Sequence, residues 1–364
     1  MESVIDIIKN HVISGKSPGI SVGLIDKSGI QTFNYGEIEK KSNIAPTANT
    51  VYEIGSVTKP FTAILAAQLQ HEGLLSLDDP IQKFLSQIKS DSDIAHKKIT
   101  LRHIIENTAD LPTTLPLKMI IPYLLKLFIR KKHVHNPFSD YSKDELYDYL
   151  AKRKIKRVPG TTWSYSNYGY AILGHALEQV TNSSFEELVK NRICKLLGME
   201  NTGINLFDSH KDSMATGFTS SGTESNFWSS PSMEGMISLR STVNDLLKFI
   251  GANLGLNKSS LSPVLEYCLS TKVNPRLTTF MKYYPKYVYG LPITKFRLGW
   301  FVFNFGNTEF VGHDGGTEGF SSFLIMNPEN KSGVVILTNR LNPRPVHKLG
   351  IELLKKLDYK ENEN

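Results

Sequence analysis

The chain has 364 residues, 40% of them apolar and 21% charged, and its 42 Lys and Arg against 35 Asp and Glu give a formal net charge of +7. This is the length and make-up of an ordinary soluble globular protein with a large core, and the excess basic residues are spread along the chain rather than interleaved with aromatics, so a nucleic-acid partner is not expected. No run of about 18 apolar residues is present to span a bilayer as a helix, and the two cysteines, Cys194 and Cys268, read as buried thiols rather than a disulfide scaffold.

Residues 2–14 have the pattern of an amphipathic helix and lack the charged, apolar and small-residue segments of an export signal. The chain as written is therefore expected in the cytoplasm, or in the periplasm or outside the cell if a signal has been removed. Two strand-like runs follow, Gly19–Ile25 and Ile30–Tyr35, joined by the turn Asp26-Lys27-Ser28-Gly29. The apolar stretch Val51–Gly55 then leads into Ser56-Val57-Thr58-Lys59 and a buried helical run, Phe61–Leu69. Residues 115–135 crowd apolar side chains ahead of Arg130-Lys131-Lys132, an apolar-basic insertion that suits a packed helix, a lid or a peripheral membrane contact. A loop, Val158–Asn167, opens a further helix from Tyr168 to Val180. Near the end, Leu298–Phe303, Glu309–His313, Phe320–Met326 and Gly333–Thr338 read as consecutive antiparallel strands, with a last helix near 345–357.

Strands at both chain ends with helices between them predict an α+β fold: one antiparallel sheet formed by both ends, flanked by terminal helices, with a mostly helical inserted lobe. The expected organisation is a single two-lobed unit. Its α/β lobe comes from about 1–55 and 266–359 and its helical lobe from about 56–265, with a cleft between them.

Three motifs carry chemistry. Ser56 and Lys59 stand one helical turn apart on one face, and Pro60, tolerated only in a first turn, fixes the helix start near Ser56. The amine can help remove the serine proton, and the Ser56 backbone N–H at the helix start can face a developing oxyanion. Ser86 and Lys89 have the same spacing without that setting. Tyr165-Ser166-Asn167 supplies a phenol, expected to lose its proton more easily beside an ammonium ion, as a general base and acid, and an amide suited to holding Lys59 and a substrate carbonyl. Gly312-His313-Asp314-Gly315-Gly316 supplies a histidine, glycines that admit a substrate backbone at Gly315, and the Gly316 N–H as a second oxyanion donor. No metal-ligand spacing is found; His133 and His135 read as solvated.

The order Ser-x-x-Lys, Tyr-x-Asn, His-x-Gly resembles that of the penicillin-recognising serine hydrolases, in particular the class C β-lactamase-like branch. Supporting stretches are Pro159-Gly160-x-x-Trp163-x-Tyr165-Ser166-Asn167-x-Gly169-Tyr170, Leu196-Leu197-Gly198-Met199-x-x-Thr202-Gly203, Leu239-Arg240-Ser241-Thr242-x-x-Asp245-Leu246, and Gly333-Val334-Val335-x-Leu337-Thr338-Asn339. The resemblance runs from Gly19 to Asn339. It implies Ser56 as acylated nucleophile, Lys59 as its proton-handling partner, Tyr165 as base and acid, and Asn167 as a substrate contact, with no cofactor. His313 stands where class C β-lactamases carry a lysine, which weakens the expectation of β-lactam hydrolysis; Arg240, Arg276 or Arg340 is left to supply the positive charge. Asp110 replaces the glycine usual before Leu111-Pro112, which leaves the backbone there open. The resemblance implies a small-molecule or peptide substrate and leaves the oligomeric state open. The leading expectation is hydrolysis of D-amino-acid-containing peptides through an acyl-enzyme. The alternatives are a carboxylesterase and an inactive penicillin-binding or membrane-associated binding protein.

Overall fold

A computed structural model describes residues 3–88, 91–114, 138–139, 141–206, 210–278 and 291–361. The apolar-basic insertion at 115–135, with His133 and His135, lies outside the described residues, as does Lys89.

Seven strands form one antiparallel sheet. They are β1 (Gly19–Asp26), β2 (Gly29–Gly36), β3 (Ile293–Arg297), β4 (Trp300–Phe305), β5 (Thr308–Gly316), β6 (Ser321–Asn327) and β7 (Ser332–Thr338), in the spatial order β2-β1-β7-β6-β5-β4-β3. The N-terminal hairpin is thus added to the last strand, with Ile20 opposite Thr338 and Ile25 opposite Gly333. β6 and β7 are buried along their whole lengths and β1 over all but its last residue, whereas edge strand β2 is exposed or half-buried. Continuous burial requires cover on both faces, and this is why β7 reads Gly-Val-Val-Ile-Leu rather than alternating.

The helices that matter here are α1 (Val4–Ile13), α2 (Thr58–His71), α3 (Asn167–Thr181), α4 (Glu234–Ile237), α5 (Val243–Asn253) and α6 (Pro343–Glu361). α1 and α6, the terminal helices, lie on the sheet, α6 against β6 and β7; α5 packs against β1 and β7. α1 begins in a capping box between Ser3 and Asp6, and Ser166 and Thr242 cap α3 and α5. Each cap satisfies amides that the first helical turn leaves without acceptors. α2 is buried from Thr58 to Ala67, as a helix apolar on all sides must be.

Several elements differ from expectation. β3 has no counterpart in the sequence pattern: Pro292 and Gly299 interrupt the apolar run around it, and pairing with β4 at Phe296–Phe301 makes it a strand. Three two-residue ladders punctuate the helical region, and Tyr52–Glu53 with Arg240–Ser241 clamps the approach to Ser56. Asp110 adopts φ +55, the left-handed conformation a glycine takes without strain. Its carboxylate holds that turn by accepting from the amides of Lys156 (2.8 Å) and Arg157 (3.1 Å) and from Arg157 Nη1 (2.6 Å). Among the described residues no helix is long and apolar enough to cross a membrane.

Candidate active site

Ser56 sits in a short 3-10 turn, Gly55–Val57, that runs directly into α2. The turn is wedged against the end of β5. Gly55 has φ +53, and a Cβ there would lie 2.7 Å from Gly316 N. A Cβ on Gly315 would overlap Ile54 O. Glycine at these positions lets strand and turn touch, and this brings the Gly316 amide beside Ser56. Ser322 Oγ donates to Ile54 O (2.8 Å), Ile54 N donates to Leu239 O (3.1 Å), and Thr58 Oγ1 donates to Gly55 O (2.7 Å). The nucleophile's turn is therefore tied to β6 and to the chain just after α4. Gly315, expected to admit substrate backbone, spends its missing side chain on this internal contact.

Lys59 is fully buried and its Nζ lies 2.8 Å from Ser56 Oγ. The same nitrogen donates to Met236 O of α4 (3.1 Å) and sits 4.9 Å from the centre of the Tyr165 ring and 5.8 Å from that of Tyr170. The Tyr165 phenol stands beside the Ser56 side chain, whose influence lowers the phenol's pKa. The serine oxygen is thus bonded to an amine, with a phenol beside it. Burial pushes Lys59 well below its usual range, with the Asp314 charge opposing. Burial also pushes the Tyr165 phenol well above its usual range, and the neighbouring Ser56 side chain offsets this only in part. This corrects the expectation of an easily ionised tyrosine. Removing a charge from water costs several kcal/mol, whereas a single hydrogen bond returns about 1. The site therefore favours a neutral phenol and a neutral amine.

Asn167 opens α3, but its Nδ2 donates to Thr113 O (2.9 Å), and its buried Oδ1 has no hydrogen-bond partner. The expected hold on Lys59 is made by the Met236 carbonyl instead, a contact invisible in sequence because any residue can supply it. Thr113 also donates through Oγ1 to Tyr165 O, so one threonine orients both residues of the Tyr-x-Asn pair.

His313 is buried on β5, stacked on Phe301 with ring centres 4.6 Å apart and 6.4 Å from the Tyr165 ring. Its Nδ1 lies 2.7 Å from Asp314 O. A carbonyl can only accept, so Nδ1 carries the proton and Nε2 is left as an acceptor in the neutral ring. Burial lowers the His313 pKa to about 4, against the opposing charge of Asp314. Asp314 points to the other face of the strand, where its Oδ2 lies 3.3 Å from Nε2 of the buried His347 on α6.

Two of the arginines considered as substrate cations are committed elsewhere. Arg240 is buried with Glu53 (3.5 Å) and donates to the carbonyls of Ile204 and Trp228. Arg340 donates to Gly15 O (2.8 Å) and Ser220 O (2.7 Å). Arg276 is exposed, on the ladder beside Thr162. Cys194 and Cys268 are buried free thiols, each pushed up to about 12 by burial.

A serine at the head of a buried helix, its oxygen bonded to an amine and flanked by a phenol beneath the end of an antiparallel sheet, defines a class: the penicillin-recognising serine hydrolases. Comparison with known proteins bears this out. A family model described as Beta-lactamase matches residues 4–358, and the chain belongs to that family. It is 28% identical over 356 residues to "Protein flp" of Staphylococcus aureus (strain N315), covering 94% of this chain and 64% of that protein. The chain thus spans a little under two thirds of that relative's length. A "Beta-lactamase" of Pseudomonas fluorescens is 25% identical, with 89% of each chain covered. Among solved structures, a "Beta-Lactamase/D-Alanine Carboxypeptidase" from Pseudomonas syringae shares the fold with a TM-score of 0.78, 21% identity and coverage of 97% and 98%.

Proposed function

We propose that the chain is a serine acyl hydrolase that cleaves D-amino-acid-containing peptides through an acyl-enzyme on Ser56. The observation that carries this reading is the 2.8 Å separation of Lys59 Nζ and Ser56 Oγ, with the Tyr165 phenol beside the same side chain. Ser56 Oγ attacks the substrate carbonyl carbon and its proton passes to the Lys59 amine, which burial keeps available as a base. The carbonyl oxygen becomes an oxyanion that accepts from the amides of Ser56 and Gly316. The Tyr165 phenol protonates the leaving group as its bond to carbon breaks, and Lys59 returns a proton to Tyr165. Water then attacks the acyl carbon by the reverse proton path and frees Ser56. These steps are complete without a cofactor.

The ladder supports a peptide-like substrate. β4 pairs with β5 only as far as Gly312, while β6 pairs with β5 to Gly316. The β4-side edge of residues 313–316 is therefore open to an added strand. The Pseudomonas syringae Beta-Lactamase/D-Alanine Carboxypeptidase shares this fold, which favours the same substrate class. A second reading, carboxyl esters, is favoured by His313. A neutral ring with Nε2 as acceptor offers no attraction to the free carboxylate that a lysine there would hold. On the peptide reading the same feature favours internal D-peptide bonds over C-terminal ones.

Incubation with a fluorophosphonate or a fluorescent penicillin is expected to add one adduct at Ser56 by intact mass, and none in Ser56→Ala. An equal adduct in both proteins refutes the assignment of the nucleophile. A panel of D-Ala-D-Ala peptides, internally linked D-peptides and acyl esters then ranks the substrate classes.

A further inference from the structure

The wall behind the Tyr165–Asn167 loop is also the wall of a second cavity, of about 460 Å³, lined among others by Asp110, Thr113, Arg153, Lys156, Arg157 and Ser164. Its charges do not balance. The Asp110 carboxylate is spent on Arg157 and on two backbone amides, as described above. Among the described residues neither Arg153 nor Lys156 makes an ion pair, and the buried Arg153 Nε has no hydrogen-bond partner. Two cations thus face one concave space with no anion assigned to them, and a guanidinium is shaped to take a carboxylate through paired N–H donors.

The cavity is close to the chemistry. Ser164 precedes Tyr165 in the chain, and Thr113 is bonded to both Tyr165 O and Asn167 Nδ2. Thr113 and Ser164 are thus common to the cavity wall and to the loop that carries Tyr165 and Asn167. The strand on the opposite side of Ser56 presents His313, which the structure holds neutral. Cationic side chains therefore lie on the Tyr-x-Asn side, whereas His313 offers a neutral ring.

We propose that this cavity is a specificity subsite that takes a carboxylate carried by the substrate several bonds from the scissile carbonyl, with Arg153 and Lys156 as its binding residues. The proposal rests on the acyl-hydrolase reading above. Its test is a matched pair of p-nitrophenyl esters of dicarboxylic acids, glutarate to suberate, one with a free distal carboxylate and one with that group methylated. At the best chain length the free acid is expected to have a kcat/KM about tenfold higher, the worth of one good charge-assisted contact. The ratio is expected to fall toward one in R153Q/K156Q and part of the way in K156Q, whose substitution changes an exposed side chain. A ratio near one in the unaltered protein at every length, or a ratio that survives both substitutions, overturns the subsite. Failure of the hydrolase reading would instead show as absence of a fluorophosphonate adduct on Ser56. In that event calorimetric binding of free suberate to the unaltered protein decides the subsite: binding lost in R153Q/K156Q supports it, and absent or unaltered binding refutes it.

Discussion

Lys59 and Tyr165 divide one task because burial treats an ammonium and a phenolate alike, by disfavouring both charges. Asp314 is the counterweight. It lies across the strand from the cleft, paired with His347, and its charge raises the Lys59 pKa. Asp314→Asn is therefore expected to lower that pKa further, so the free amine persists to lower pH and the acidic limb of kcat/KM moves down. A limb that stays in place would belong to another group. Tyr165→Phe is expected to reduce kcat by roughly 10²–10⁴, the usual worth of a positioned general acid, while leaving the thermal midpoint nearly unchanged. Ser56 and Lys59 are legible in the chain because spacing and helix start are local properties. The protonation of Tyr165 is not, because its neighbours can be read from sequence but its depth cannot. Met236 leaves no trace either, since its contribution is a main-chain oxygen.

The junction of β5, the Ser56 turn and β6 depends on contacts that tolerate no extra atom. Gly315→Ala would drive a methyl group into Ile54 O and displace the turn. Circular dichroism is expected to show a folded protein, and fluorophosphonate labelling of Ser56 is expected to be lost; normal labelling would refute the wedge. Ser322→Ala removes one buried hydrogen bond to the same carbonyl and is expected to cost about 1 kcal/mol in chemical denaturation. Long periodic elements such as β7 and α2 are readable in advance, since their apolar runs are dictated by burial. β3 and the two-residue ladders are not, because a few bonds across a fold leave too little pattern along the chain. Asp110 falls between these cases: the missing glycine is visible, but the hydrogen bonds that let aspartate keep its turn are made by Lys156 and Arg157, far along the chain.

Across the whole molecule, buried histidines and buried carboxyls oppose one another as pH changes. Burial lowers His11 and His313 to about 4 and His175 to about 3, below an unfolded value near 6.5. Between those values the unfolded chain binds more protons, so this stability is present above about pH 6.5 and is lost as pH falls. Glu53 and Glu234 are raised by burial to about 7 from 4.5. Between pH 4.5 and 7 the folded chain binds more protons at these two sites, so their effect has the opposite sign and ends below about 4.5. The thermal midpoint is therefore expected to change little from pH 7 to about 5 and to fall steeply below about 4.5. A midpoint that climbs steadily down to pH 4 would contradict the assigned burial of the three rings.

The pairing of β1 with β7 fixes a sequence of events during synthesis. A ribosome delivers Gly19–Gly36 well before Ser332–Thr338, the strand that flanks β1 on its far side. Contacts so distant along the chain close slowly, and until they do the early hairpin has an unsatisfied edge open to other chains. A nascent chain halted before residue 308 would hold Ser56, Lys59 and Tyr165 and still lack the amide of Gly316. The proposed site is in this way completed only once β5 has been made, and until β7 follows the exposed edge of β1 is a place where a chaperone could act.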